Sequence, residues 1–312
     1  MAKSKSKALG RRQRLVIDRG VRWAVQIAFF VAFPAVFSAA FNGVKYVFTQ
    51  IGAMQPVSLS AFVTTLLAVL AFTVVFGRFF CGYACAFGTL GDALFTVFTP
   101  VRKKLGIGKK KPLLPAGMQR ALQLLKYVVL IVVCVLCFAG MWSSVSGYSP
   151  WTAFAGIVAG NVDGISVGAF VALGVVAVGM LFVERFFCQF LCPLGAVFSL
   201  LPVLPFSAFR RDATRCAKGC GLCKRSCPVS VSPDPDAFAA GECISCGRCA
   251  DGCPLENVTL LRVPKPAGQA EPVQDSSAKK PAGEFLVSLR GTEILLVLAK
   301  AAALFALCRM FM

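Results

Sequence analysis

The 312-residue sequence contains no histidine, and this absence excludes several classes of metal protein. Bis-histidine haem, the Cys-x-x-Cys-His haem attachment motif and histidine-ligated zinc all need an imidazole, as does histidine acid–base catalysis. Acidic residues are also scarce, because only 14 Asp and Glu stand against 33 Lys and Arg. With 15% charged and 57% hydrophobic residues, the composition excludes an ordinary soluble domain and indicates a membrane protein.

Four apolar segments reach about 20 residues, the length that a helix needs to cross a bilayer. They predict transmembrane helices at 21–41, 57–77, 121–142 and 164–183. Lys and Arg number 8 in residues 1–22, then 1, 8 and 0 in the successive loops, and 15 after residue 183. The basic residues therefore indicate topology and contacts with anionic lipids, not nucleic-acid binding. They predict a multi-pass inner-membrane protein with a cytoplasmic N-terminus and a cytoplasmic segment after the fourth span.

The second and fourth predicted spans end in related sequences that lie 107 residues apart. The shared motif is Arg-Phe-Phe-Cys-x-x-x-Cys, at 78–85 and 185–192, and we call it the exit motif because the chain leaves the membrane there. Two repeated helical hairpins in the same orientation can pack about an axis along the membrane normal and bring the two exit motifs together. The i, i+4 spacing suits an additional iron or iron–sulfur centre, whereas the alternative is four small buried residues in sharp turns. The candidate ligands are Cys81, Cys85, Cys188 and Cys192.

Eight further cysteines lie in two runs that end in Cys-Pro. The run at 243–254 has the bacterial ferredoxin pattern in full, and the run at 216–228 has one extra residue between its first two cysteines. In two-cluster ferredoxins the fourth cysteine of each run ligates the other cluster. Alternatives are a zinc ribbon, or a cluster with three cysteines that lacks Cys216. The pattern predicts two [4Fe-4S] clusters, one held by Cys216, Cys220, Cys223 and Cys253, the other by Cys243, Cys246, Cys249 and Cys227.

These features predict a mainly α polytopic membrane protein with five parts. The C-terminal part has two equal alternatives, a fifth span or an interfacial helix, because its large apolar side chains nearly offset the cost of placing Lys300 in a bilayer. The parts are a basic cytoplasmic N-terminus (1–20), a four-helix membrane domain of two repeated hairpins (21–205), a double [4Fe-4S] ferredoxin-like α+β domain in the cytoplasm (206–262), a flexible linker (263–283) and an apolar membrane-associated helix (284–312).

The spans, the duplicated exit motifs and the double ferredoxin motif together resemble the NapH/NosR-like family of membrane polyferredoxins over residues 15–262. The second exit motif has the family's Cys-x-x-x-Cys-Pro form, ending at Pro193, whereas the first has Ala86 in place of the proline. The resemblance implies a quinol dehydrogenase that passes electrons between menaquinol or ubiquinol and a partner reductase, or an iron–sulfur or cytochrome subunit. The sequence shows no flavin-binding domain before the spans, which favours the NapH-like branch.

Other functions stay open on the residues alone. The same clusters would serve an assembly, metal-reducing or redox-sensing membrane protein. A transporter has little support, because Lys126 is the main ionisable residue within the spans. Tyr83, Asp92 and Glu184 lie near the exits and could hydrogen-bond a quinone head group, but polar residues at helix ends more often face the surface.

Overall fold

The computed structural model describes residues 2–106, 116–202, 204, 209–211, 216, 220–231, 241–253, 258–259 and 282–311, and this described chain is mainly helical. The predicted linker at 263–283 lies outside the described residues except for its last two. The helices are α1 (Ala2–Ala32), α2 (Val36–Gly52), α3 (Ala61–Phe76), α4 (Ala86–Lys104), α5 (Ala116–Phe138), α6 (Trp142–Ser146), α7 (Pro150–Ala159), α8 (Val167–Phe182), α9 (Phe186–Phe190), α10 (Pro193–Leu200), α11 (Leu222–Ser226), α12 (Arg248–Gly252) and α13 (Ala282–Phe311), with a π-helical turn at Phe80–Ala84.

The first predicted span is two helices, so the prediction of a continuous helix over 21–41 is wrong. The apolar parts of α1 and α2 meet at an angle of 61°. The break contains Pro34, whose ring removes a backbone donor and clashes with the preceding helical turn. The membrane part of α1 therefore ends at Ala32, and α2 runs on in a new direction.

The remaining apolar helices differ in length from the predicted spans. In the described chain, Gly117–Phe138 and Ile294–Phe311 are each long and apolar enough to cross a membrane, so the tail contains a helix of spanning length. By contrast, α3 and α8 have 16 residues each, or about 24 Å, which is shorter than the predicted spans at 57–77 and 164–183. Helix α3 ends where Gly77 adopts a positive φ of 73°, and α8 ends where Val183 becomes extended (φ −118°, ψ 121°).

The 107-residue repeat includes more helices than a simple hairpin, and the prediction of two plain hairpins is not reproduced. At that offset α1 corresponds to α5, α2 to α7, α3 to α8 and α4 to α10, and α4 and α10 begin exactly one repeat apart, at residues 86 and 193. Each repeat is therefore a long helix, two shorter helices, an exit turn and a final helix that leaves the turn.

The ferredoxin-like segment (206–262) is held together mainly by two short helices in its described part. Helices α11 and α12 pack closely, since a Cβ on Gly252 would lie 2.2 Å from Ser226 Oγ. The described strands are two residues each, β1 (Arg210–Arg211) and β2 (Val258–Thr259), paired antiparallel. So little strand structure does not confirm the predicted α+β domain.

Gly43 marks a close approach of α2 to α3 that can be tested by mutation. A Cβ there would lie 2.5 Å from the Phe62 carbonyl oxygen and 2.8 Å from Leu66 Cβ. We expect Gly43→Ala to lower the free energy of unfolding by about 1–3 kcal/mol through overpacking, seen as a lower thermal midpoint in detergent. The control is Gly174→Ala on α8, where the added Cβ meets nothing within 4 Å. Equal midpoints for the two variants would contradict this packing.

Candidate metal centres

The two exit motifs place their cysteines in matching positions. Cys81 lies in the π-helical turn and Cys188 in α9, while Cys85 and Cys192 are the N-cap residues of α4 and α10. All four side chains are buried, with 5–6% of their surface exposed. At the second cap, the Gly195 N–H donates to Cys192 Sγ at 3.2 Å. A helix N-terminus aimed at sulfur favours the thiolate form.

The exit thiols (Cys81, Cys85, Cys188 and Cys192) lie within electrostatic reach of one another. Burial raises the pKa of Cys85, and the thiols of Cys188 and Cys81 raise it further. Burial also raises the pKa of Cys192 well above its ordinary value, with added contributions from the other three thiols. The structure therefore gathers at one place the four cysteines that the repeat pairs in sequence.

The arrangement of possible metal ligands bears on the hypothesis of a single iron at these thiols. Across the described residues, no three Cys, Asp or Glu side chains are arranged as ligands of one metal ion. The hypothesis of a single iron at the exit thiols thus gains no support. In a [4Fe-4S] cluster each of four irons takes its own thiolate, so the ligands surround a larger group. An iron–sulfur centre held by the four exit thiols stays a prediction at this point.

Arg78 and Arg185 cross between the repeats, and both are 2% exposed. Arg185, from the second repeat, donates to Asp92 in the first, with Nε–Oδ1 at 2.9 Å and Nη2–Oδ2 at 2.6 Å. Arg78, from the first repeat, donates to Ser199 Oγ in the second at 3.1 Å. Asp92 and Ser199 are themselves one repeat apart. Each guanidinium therefore contacts the equivalent position of the opposite repeat.

The last glycine of each exit motif makes room for the crossing arginine. A Cβ on Gly88 would lie 2.6 Å from Arg185 Nη1, and one on Gly195 would lie 3.1 Å from Arg78 Nη2. Arg185 also donates to the carbonyl oxygens of Cys81 and Gly82, the latter at 3.1 Å. The shared glycines thus permit backbone and guanidinium to meet beside the thiols.

The expectation that Asp92 and Glu184 face the surface is wrong. Asp92 is 9% exposed and Glu184 is 6% exposed. Burial alone would raise the pKa of Asp92, but the Arg185 guanidinium holds it below its ordinary value. Glu184 accepts from Arg248 in the ferredoxin-like segment. Both carboxylates are therefore buried partners of arginines.

Glu242 is a site residue that no motif in the sequence indicates. Its carboxylate accepts from Arg78 Nη1 at 3.0 Å and from Lys126 Nζ. Lys126, which the sequence places within a predicted span, is fully buried and also donates to Ser199 Oγ at 3.2 Å. A lysine in a span signals that an acidic partner exists, but it does not identify which one. This pairing ties the ferredoxin-like segment to α5.

The predicted second cluster set surrounds one cavity. Cys227, Cys243, Cys246 and Cys249 all line it, together with apolar side chains such as Phe209 and Val229. Burial raises the pKa of Cys227, and the thiols of Cys246 and Cys243 raise it further. The structure thus brings the last cysteine of the first run to three cysteines of the second.

The predicted first cluster set is only partly gathered. Cys223 on α11 and Cys253 after α12 pack in one small core with Phe209. Cys216 and Cys220 are half-buried. Their ligation together with Cys223 and Cys253 stays a prediction.

The exit turn of the first repeat touches the loop of the second cluster set. A Cβ on Gly82 would lie 2.4 Å from the Ile244 carbonyl oxygen and 3.9 Å from the Cys246 Cα. Cys246 also belongs to the same continuous core as the four exit thiols. The two sets of cysteines are therefore neighbours across a backbone-to-backbone contact.

Comparison with known proteins adds to this geometry. The profile of a 4Fe-4S binding domain matches residues 59–108 and 166–206, so each match contains one exit motif and the matches begin 107 residues apart. An uncharacterised protein of Methanocaldococcus jannaschii is 31% identical over 196 residues, which are 62% of this chain and 68% of that protein. The chain belongs to the family of ferredoxin-type membrane proteins.

Two named relatives show the range of this ferredoxin-type family. The ferredoxin-type protein NapH of Haemophilus influenzae is 27% identical over 198 residues, covering 59% of this chain and 62% of NapH. The regulatory protein NosR of Pseudomonas aeruginosa is 27% identical over 182 residues, which are 56% of this chain but 24% of NosR. No solved structure matches. The relatives and the matching 4Fe-4S binding domain identify the chain as a ferredoxin-type membrane protein.

The Arg185–Asp92 pair predicts a large loss of stability when one partner is removed. We expect Arg185→Met to lower the free energy of unfolding by about 3–5 kcal/mol, because Asp92 would remain as an uncompensated buried charge. Thermal unfolding of the detergent-solubilised protein would measure this, with Arg120→Met, an exposed arginine on α5, as control. Arg185→Lys keeps the charge without the two-pronged contact and should fall between them. Equal stability of Arg185→Met and the control would contradict the assignment.

Proposed function

We propose that this ferredoxin-type membrane protein passes electrons between the membrane quinol pool and a partner reductase. The observation that carries the proposal is the contact of Gly82 with Ile244, which sets the exit thiols beside the second cluster set. Redox centres that are neighbours in this way can pass electrons from one to the next. The similarity to the ferredoxin-type protein NapH supports electron transfer by this chain as well.

We further propose three [4Fe-4S] sites. Two are the sets predicted from the ferredoxin pattern, and the third is the exit thiols, which the matches to a 4Fe-4S binding domain include. A [4Fe-4S] cluster accepts and returns single electrons when it is bound. The donor sets consist of Cys216, Cys220, Cys223 and Cys253, of Cys243, Cys246, Cys249 and Cys227, and of Cys81, Cys85, Cys188 and Cys192.

The protein's own residues prepare these sites for charge. Arg78 interacts with the thiols of Cys81 and Cys192, and Arg185 with that of Cys188, so the two guanidiniums offset part of the negative charge of the thiolates. Burial of the exit thiols keeps water away from them. Ion pairs then fix the ferredoxin-like segment on the membrane helices, through Arg22–Asp251 at 3.1 Å and Arg248–Glu184.

We place the ferredoxin-like segment on the cytoplasmic side of the inner membrane. Two observations support this orientation: the 15 basic residues after residue 183, and the need of free thiolates for a reducing compartment. In this orientation a partner reductase or an iron–sulfur or cytochrome subunit exchanges electrons with the chain, and anionic lipids contact its basic residues.

A second candidate is a regulatory or redox-sensing role, which the similarity to the regulatory protein NosR favours. The two functions differ in one requirement. A quinol dehydrogenase subunit must take electrons from quinol in the membrane, whereas a sensor need not.

Iron and sulfide analysis tests the number of sites. Anaerobically purified protein should hold about 12 irons per chain with equal acid-labile sulfide if all three sets bind [4Fe-4S], against about 8 for the ferredoxin-like sets alone. The double variant Cys85→Ser/Cys192→Ser should lose about four irons. Cys134→Ser, which changes a half-buried cysteine of α5 outside all three sets, should lose none. Unchanged iron in the double variant would remove the exit thiols from the proposal.

Quinol-dependent reduction tests the function itself. In proteoliposomes, a menaquinol or ubiquinol analogue should reduce the clusters and so bleach the visible absorption of the iron–sulfur protein. Dithionite gives the full extent of reduction as reference. Clusters that dithionite reduces but no quinol does would contradict the quinol proposal and favour the sensor.

A further inference from the structure

A cavity of about 400 Å³ lies between the helices of both repeats and the ferredoxin-like segment. This volume is in the usual range for a small-molecule site. Its walls come from α4, α5, the end of α8 and the loop around α11. The side chains that matter for its chemistry are Phe95, Arg102, Gln119, Phe182, Glu184 and Cys227.

Arg102 is the unusual member of this lining. Its side chain is 6% exposed, and its guanidinium lies over the Phe95 ring, 4.0 Å from the ring centroid. Two of its nitrogens, Nε and Nη1, are buried and have no hydrogen-bond partner among the described residues. Buried donors in proteins are almost always paired, since an unpaired one costs about 1–3 kcal/mol and more when charged. The cavity beside Arg102 therefore calls for a ligand with an acceptor oxygen.

The other wall groups narrow the class of ligand. Phe95, Phe182 and Pro228 present apolar surface, which suits a flat ring. Glu184, whose carboxylate already accepts from Arg248, can also accept from a hydroxyl group, while Lys224 and Arg225 add positive charge to the wall. A ring that carries oxygens as carbonyl or hydroxyl groups satisfies both Arg102 and Glu184. Gln119 adds a neutral amide to the wall, although its Nε2 already donates to Gln189 at 3.3 Å.

The position of the cavity suits a ligand with a lipid tail. It lies at the end of α8, an apolar helix, and Val178, one turn before Phe182 on the same face, is 53% exposed. An apolar tail can therefore leave along this face of α8. Cys227, a proposed ligand of the second cluster set, lines the same cavity, so a bound ring would lie beside it.

We propose that this cavity binds the head group of the membrane quinone, with Arg102 donating to a ring oxygen and Glu184 accepting from a ring hydroxyl. The inference rests on the proposed function and locates its quinol site. Of the polar residues that the sequence places near the exit motifs, only Glu184 takes part in this proposed site, and Arg102 joins it.

The experiment uses the detergent-solubilised protein with its clusters in place and a short-tail azidoquinone as photoreactive probe. Labelled peptides identified by mass spectrometry should come from α4, the end of α8 or the loop after Cys227. Arg102→Gln should weaken probe binding about 10-fold or more, the effect of one hydrogen bond to a charged group, while Arg102→Lys should weaken it less. The matched control is Lys103→Gln, which removes the neighbouring exposed charge and should leave binding unchanged.

Two results would overturn the cavity while leaving the proposed function intact. One is labelling confined to other helices, with wild-type binding in an Arg102→Gln variant that keeps its iron content and thermal midpoint. The other is suppression of labelling by phosphatidylglycerol as effectively as by unlabelled quinone, which would assign the cavity to a lipid head group. Quinol-dependent cluster reduction in the same preparation distinguishes the cavity proposal from the proposed function. If this reduction persists while the cavity fails its test, the proposed function stands. Absence of both labelling and quinol-dependent reduction would overturn both.

Discussion

The exchange of two buried arginines between the repeats is the interaction on which the rest of the structure depends. A guanidinium that is 2% exposed is costly unless charge and hydrogen bonds surround it. Neither repeat supplies those partners for its own arginine, because Arg185 donates to Asp92 and Arg78 donates to Ser199 in the opposite repeat. The two exit motifs must therefore meet for either charge to be buried, and this meeting brings the four exit thiols together.

The exchange is symmetric in position but not in chemistry, and the difference binds the ferredoxin-like segment to the membrane helices. In the first repeat the crossing arginine finds a carboxylate, Asp92, whereas the equivalent position in the second repeat is a serine. Glu242 supplies the missing negative charge to Arg78 and Lys126. Although burial opposes ionisation, these two cations hold the pKa of Glu242 below its ordinary value. Docking of the segment thus completes the membrane site electrostatically.

The sequence predicts the parts of the site that follow a repeated motif. It does not predict the parts that depend on turns inside apolar segments or on contacts between distant residues. The offset of 107 residues and the Cys-Pro runs identified the cysteine sets, because each pattern reflects a local requirement of the chain. The break at Pro34 and the shortness of α3 and α8 were missed, since hydropathy alone does not locate a turn inside an apolar run. Glu242 was missed because its partners lie 116 and 164 residues away and no local pattern encodes such a contact.

A cluster held by the exit thiols would lie next to the ferredoxin-like clusters, and electron paramagnetic resonance of the fully reduced protein tests this arrangement. Adjacent paramagnetic clusters interact, so we expect a spectrum broadened by spin–spin coupling. In the Cys85→Ser/Cys192→Ser variant the coupling that involves the exit site should disappear, leaving the spectrum of the ferredoxin-like clusters. A spectrum with the same shape and spin count in both proteins would show that the exit thiols hold no cluster next to the others.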